Sequence, residues 1–234
     1  MLIPPYAVFA AAVVALHLFV RYKSATWDED AILIVSFVLP LVLAGCLTAG
    51  LGYYQLHTEW RTNAVYLLLS LPVRGWKVLT AKLAAVMSLF LLSLLWLGAS
   101  FGLVLLGLRW EMLSVTAELS EMLPVMLNYA VNSTLLYGLV MLLVLSILQF
   151  AFLCGQLAAR LRWLVVIAAF FGIVWLVFRI SPVLSALLAW TPDVFFGGGI
   201  EAAYLYSGPL LVLLLISAGI VWLSGYLLEK EVEV

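Results

Sequence analysis

LAAVMSLFLLSLLWLGASFGLVLLGL, residues 83–108, contains no Asp, Glu, Lys or Arg. A helix needs roughly 20 apolar residues to cross the hydrocarbon core of a bilayer, and this stretch exceeds that length. Outward from it, residues 1–20, 31–56, 122–159 and 202–228 are also free of these four residue types. Residues 163–178 form a shorter run that Arg179 extends, since its stem can snorkel toward the interface. The runs predict six spans near 4–21, 32–54, 80–107, 130–157, 163–181 and 208–228. Lipid offers the backbone no hydrogen-bond partners, so the spans are expected to be helices. Composition agrees: the 234 residues are 67% hydrophobic and 10% charged, with mean hydropathy +1.22. Too few polar side chains are present to cover a water-soluble surface. The expected fold is an all-α integral membrane protein, with residues 1–234 forming one membrane domain.

Charge excludes some functions and orients the rest. The net charge is −1 with no basic tail, which argues against a nucleic-acid partner. Cys46 and Cys154 fall inside predicted spans and read as small buried hydrophobes rather than metal ligands. The first apolar run has no basic segment before it and no clear cleavage site after it, so it is expected to be a retained helix. With the N-terminus inside, cytoplasmic segments carry Arg61, Arg74, Lys77, Lys82, Arg160, Arg162 and Lys230. External segments carry Arg21, Lys23, Arg109 and Arg179. This bias predicts both termini in the cytoplasm. Trp and Tyr at the expected span ends (Tyr22, Trp27, Tyr53, Tyr54, Trp76, Trp110, Tyr129, Trp163, Trp190) suit an interfacial belt.

Two external segments exceed a tight turn. In 110–123, Glu111, Ser114, Glu118 and Glu121 oppose Met112, Val115, Leu119 and Met122, the pattern of a helix lying at the interface. In 182–207, Val183 to Trp190 is too short to span and is followed by Thr191-Pro192-Asp193 and Gly197-Gly198-Gly199. A shallow re-entrant hairpin is expected there. Asn132-Ser133-Thr134 fits a glycosylation sequon but lies too near the membrane to be informative.

Enzymatic and ion-coupling signatures are sparse. No G-x-x-x-x-G-K-[ST] occurs, so the chain has no P-loop of its own. Apart from His17 near one end of the first, the spans lack the ionisable groups that proton or sodium relays use. Gly98-Ala99-Ser100-Phe101-Gly102 matches G-x-S-x-G, but a nucleophile elbow needs a strand-to-helix turn and a histidine in reach. The only histidines, His17 and His57, are expected on opposite sides of the membrane. Gly98 and Gly102 read instead as a small-xxx-small packing pair.

The segment EWRTNAVYLLLSLPVRGWKVLTAK, residues 59–82, is the one long basic, amphipathic interruption. Nothing from Glu59 to Leu71 breaks a helix, and a helix beginning near Glu59 would have its acid suitably placed for the macrodipole. Pro72 then disfavours helix at Leu71 and turns the chain. A helix that only anchors to anionic lipid is the alternative reading, and a non-transporting scaffold that binds a cytoplasmic partner is the alternative function.

This segment resembles the cytoplasmic stretch of ABC-2-type transporter permeases, roughly E-x-x-x-G-T-x-E-x-L-L-x-x-P-x-S-R-x-x-x-x-x-x-K. Glu59, Leu68, Pro72 and Lys82 fall at matching offsets. Asn63-Ala64 stands where the family commonly has Gly-Thr, and Tyr66 where a second acid is frequent. Only MLIPP precedes the first span, so the family's basic amphipathic helix is missing or the start lies upstream. Six spans, both termini inside and a broken hydrophobic hairpin before the last span are also similar to that family. The resemblance implies a permease subunit of an exporter in the bacterial cytoplasmic membrane, without a nucleotide site of its own. Two copies of a separate ATPase would bind ATP and Mg, and a second permease, identical or not, would complete the pathway. The coupling interface would comprise Glu59, Trp60, Arg61, Thr62, Asn63, Tyr66, Leu71, Pro72, Val73 and Arg74. Glu59, Arg61 and Thr62 would touch the ATPase, and Leu71-Pro72-Val73 would fix the return into the membrane. Pro182, Leu184, Leu187, Pro192, Phe195 and Phe196 would form an external gate.

Overall fold

The computed structural model describes residues 3–23, 26–28, 31–32, 34–62, 74–108, 116–158, 161–196, 203–205 and 207–232. Six helices carry the fold: α1 (Ile3–Lys23), α2 (Leu39–Arg61), α3 (Gly75–Leu108), α4 (Thr116–Leu157), α5 (Arg162–Leu187) and α6 (Gly208–Val232). All six are long and apolar enough to cross a membrane. The sole described sheet is a short antiparallel hairpin, β1 (Val194–Phe196) with β2 (Ala203–Leu205), in which Phe195 pairs with Tyr204.

Large apolar side chains such as Leu95, Phe171, Trp175, Phe178 and Trp222 are exposed, so the bundle's outer surface is apolar. That surface suits lipid rather than water. Successive helices alternate in direction. Tyr6 near the start of α1 bonds Thr48 inside α2 at 2.9 Å, and His17 near the end of α1 reaches Ser36 before α2 at 2.7 Å. The start of α1 therefore points the same way as the end of α2.

A π-helical turn, Ile34–Val38, leads into α2. Pro40 is its physical counterpart, because proline has no N–H to give the Ser36 carbonyl four residues earlier. His17 Nε2 donates to that carbonyl at 2.7 Å. The imidazole is thus held in its Nε2–H form, and its buried Nδ1 has no hydrogen-bond partner. His17 is here a side chain that serves a backbone group spared by a proline.

Several expected boundaries change. The second span does not end near Tyr54 with a new helix starting at Glu59; α2 runs unbroken through both to Arg61. Glu59 thereby sits in a last helical turn, where the macrodipole disfavours an acid, and an ion pair compensates for it. The fifth span does not stop at 181. Pro182 lies inside α5, which continues through Leu184 to Leu187. Consequently 183–190 is not a separate re-entrant arm, and β1–β2 forms the hairpin that follows. The expected interfacial helix at 110–123 is instead, from Thr116, the beginning of α4, which runs straight through Pro124; 110–115 lie outside the described residues. Cys46 is exposed rather than buried, and both cysteines are free. Among the described residues Gly98 and Gly102 have no packing partner, for a Cβ on either would find none of their atoms within 4 Å.

Candidate functional site

One end of the bundle gathers the chemistry. The end of α2, the start of α3 and the ends of α4 and α6 converge on a cluster of Leu56, Leu79, Phe152, Leu153 and Leu228, with Trp60 packed against it. The rings interlock edge to face. Phe152 lies 5.5 Å from Tyr53 at 87° and 6.3 Å from Trp60 at 65°, both favoured aromatic geometries. Trp60, expected at the coupling interface, therefore contributes its ring to the bundle's own core. His57 stacks on Tyr53 with 6.3 Å between centroids.

Above this apolar floor, Lys82 of α3 forms an ion pair with Glu59 of α2. Both side chains are largely buried, at 14% and 22% exposure, so the pair is shielded from the screening that weakens surface bridges. It clamps two antiparallel helices on either side of the 63–73 connection. The same end holds a second cross-link, in which the Gly75 amide donates to Glu229 Oε1 at 2.6 Å. An acid from α6 thus caps the otherwise unsatisfied N-terminus of α3. Glycine makes this approach feasible: a Cβ on Gly225 would lie 2.6 Å from the Trp76 nitrogen and 2.5 Å from its Cα.

Beyond the clamp the surface turns basic. Arg61, Thr62, Arg74, Lys77 and Arg162 are exposed, and Lys77 sits 5.7 Å from the Trp76 ring centroid. Thr62 closes α2, its amide and hydroxyl both donating to the Thr58 carbonyl at 2.9 Å. Of the expected coupling residues, Glu59, Trp60, Arg61, Thr62 and Arg74 come together at this end. Asn63, Tyr66, Leu71, Pro72 and Val73 lie outside the described residues.

The expected gate residues lie toward the opposite end. Pro182, Leu184 and Leu187 are on α5, whereas Phe195 and Phe196 are on β1. Pro192 occupies the connection between them and is exposed. Asn132 of α4 donates through Nδ2 to the Phe195 carbonyl and to Asn128 Oδ1, each at 3.1 Å. The sequon asparagine is therefore the side chain that ties the hairpin to the bundle. Ser100 donates to the Leu97 carbonyl of its own helix at 3.0 Å, an intrahelical bond rather than an elbow.

Sequence reasoning overlooked Glu229, Gly225 and Gln149, and set Asn132 aside as part of an uninformative sequon. An acid beside a span end and a glycine within an apolar run were visible, but their partners lie on distant elements. No protein-family model, curated protein or solved structure matches this chain. The geometry of this end and the motif that runs through it therefore carry the functional reading. Among the described residues no group of His, Cys, Asp and Glu is arranged to hold a metal ion.

Proposed function

We propose that this chain is the membrane-spanning subunit of an ABC-2-type exporter, driven by a separate ATPase that binds ATP and Mg. The Glu59–Lys82 pair carries the reading. These residues are the acidic and basic ends of the permease-like motif, and they meet where four helices converge on one apolar cluster. A partner bearing on Arg61, Thr62 and Arg74 would move α2 and α3 together through that clamp. The Leu56–Leu79–Phe152–Leu228 contacts would pass the displacement to α4 and α6.

By the basic bias this face would lie in the cytoplasm, with both termini on the same side, and the resemblance implies a bacterial cell. A second permease, identical or different, would complete the pathway. Of α5, only Val177 is buried, which leaves that helix with ample apolar surface for a neighbour or lipid. The apolar spans favour a hydrophobic or amphipathic cargo such as a drug, an antimicrobial peptide or a lipid-like molecule.

Affinity purification from native membranes tests the proposal. A P-loop ATPase is expected to co-purify, with turnover that falls at least tenfold in the Glu59→Ala/Arg61→Ala variant. Unchanged binding and turnover in that variant would remove the coupling assignment. Partner capture without any nucleotide hydrolysis would support a scaffold instead.

A further inference from the structure

A small, partly open cavity of about 10 Å³ lies between α2, α3 and α4, one turn inside the Glu59–Lys82 clamp. Its walls are mainly apolar, from Leu56, Leu83, Val86, Leu145 and Leu148, but Gln55, Lys82 and Gln149 also line it. Gln149 is only 6% exposed, and its Oε1 is buried without a hydrogen-bond partner. Nearly every buried carboxamide in a folded protein is satisfied, so a partnerless one beside a cavity points to an occupant. The dimensions restrict the choice. A cavity holds one water once it reaches roughly 10–15 Å³ of probe volume, provided that two to four polar groups surround it. A second non-hydrogen atom has no room. A bare cation is disfavoured by the Lys82 ammonium in the wall.

We propose that this cavity is a single-water site, with Gln149 Oε1 accepting a hydrogen bond from the water and Gln55 and Lys82 supplying its other partners. The water joins α2, α3 and α4 at one level, immediately inside the clamp. A water bridging such groups is nearly as favourable as a direct hydrogen bond. Gly52 keeps the joint tight, since a Cβ there would come 2.6 Å from Leu145 Cδ2. The site stands on packing and hydrogen bonding alone and holds whether or not the chain is a transporter.

Solid-state NMR of the full-length protein in lipid bilayers, with magnetisation transferred from water, tests the site. Rapid transfer is expected to the Gln149 side-chain amide, with none to the methyl groups of Leu143 and Ile147, which pack against Val177 and Ile220 and do not line the cavity. Absence of transfer to Gln149 overturns the proposal. Thermal unfolding in detergent supplies a second readout. Gln149→Leu and the cavity-filling Val86→Ile are both expected to lower Tm, because each displaces the water without replacing its bonds. A raised Tm in either variant means a dry cavity around an orphaned amide, and also overturns it.

Discussion

Glycine has opposite meanings at two places in this chain. At Gly225 a methyl group would collide with the Trp76 backbone, so Gly225→Ala is expected to destabilise by about 1–3 kcal/mol, the usual cost of overpacking. At Gly98 the same methyl group meets none of the described residues within 4 Å, so Gly98→Ala should stabilise by up to about 1 kcal/mol through helix propensity. Thermal melts of the two variants in one detergent check the contrast. His17 offers a sharper test. His17→Leu removes the Ser36 carbonyl's donor, and should cost about 1–3 kcal/mol. Adding Pro40→Ala restores a backbone N–H four residues on, so the double variant should recover part of that loss. Neither effect was legible in the residue alone. Gly98 stood in a recognisable G-x-x-x-G yet meets none of the described residues, while Gly225 stood in no motif and brings its helix against the Trp76 backbone.

At the scale of elements, hydropathy found all six helices, because covering the apolar layer is a local requirement that each span meets by itself. It misplaced their ends. Nothing in residues 54–59 obliges a helix to stop, and the cost of an acid in the last turn of α2 is met by Lys82 from α3, which span length does not reveal. Proline was overweighted. Pro124 and Pro182 both lie inside helices, as membrane spans tolerate when neighbours satisfy the freed carbonyls. The Glu59–Lys82 pair predicts a definite pattern of coupling. Lys82→Met or Glu59→Gln alone should destabilise, by up to about 3–5 kcal/mol, by leaving a mostly buried polar group unpaired. The double variant should cost much less than the sum. A double-mutant cycle on Tm or denaturant midpoint measures this directly, and strict additivity would mean that the pair contributes nothing.

For the whole molecule, helix direction predicts sidedness. In a background with Cys46 and Cys154 replaced by serine, Thr62→Cys and Trp190→Cys should react with impermeant thiol reagents from opposite faces of the membrane. Thr62 should react from the cytoplasm, by the basic bias; labelling of both from one face would refute the alternation. The convergence of α2, α3, α4 and α6 has a further consequence, in the order of synthesis. Glu59 and Lys82 can pair as soon as α3 is inserted, but the Gly75 amide awaits Glu229, and Trp76 awaits the groove at Gly225. The sixth span to leave the ribosome is thus the one that finishes the end carrying the basic surface. A nascent chain halted before α6 would display Arg61 and Arg74 beside an uncapped α3, so any partner that reads their spacing would also distinguish finished chains from unfinished ones.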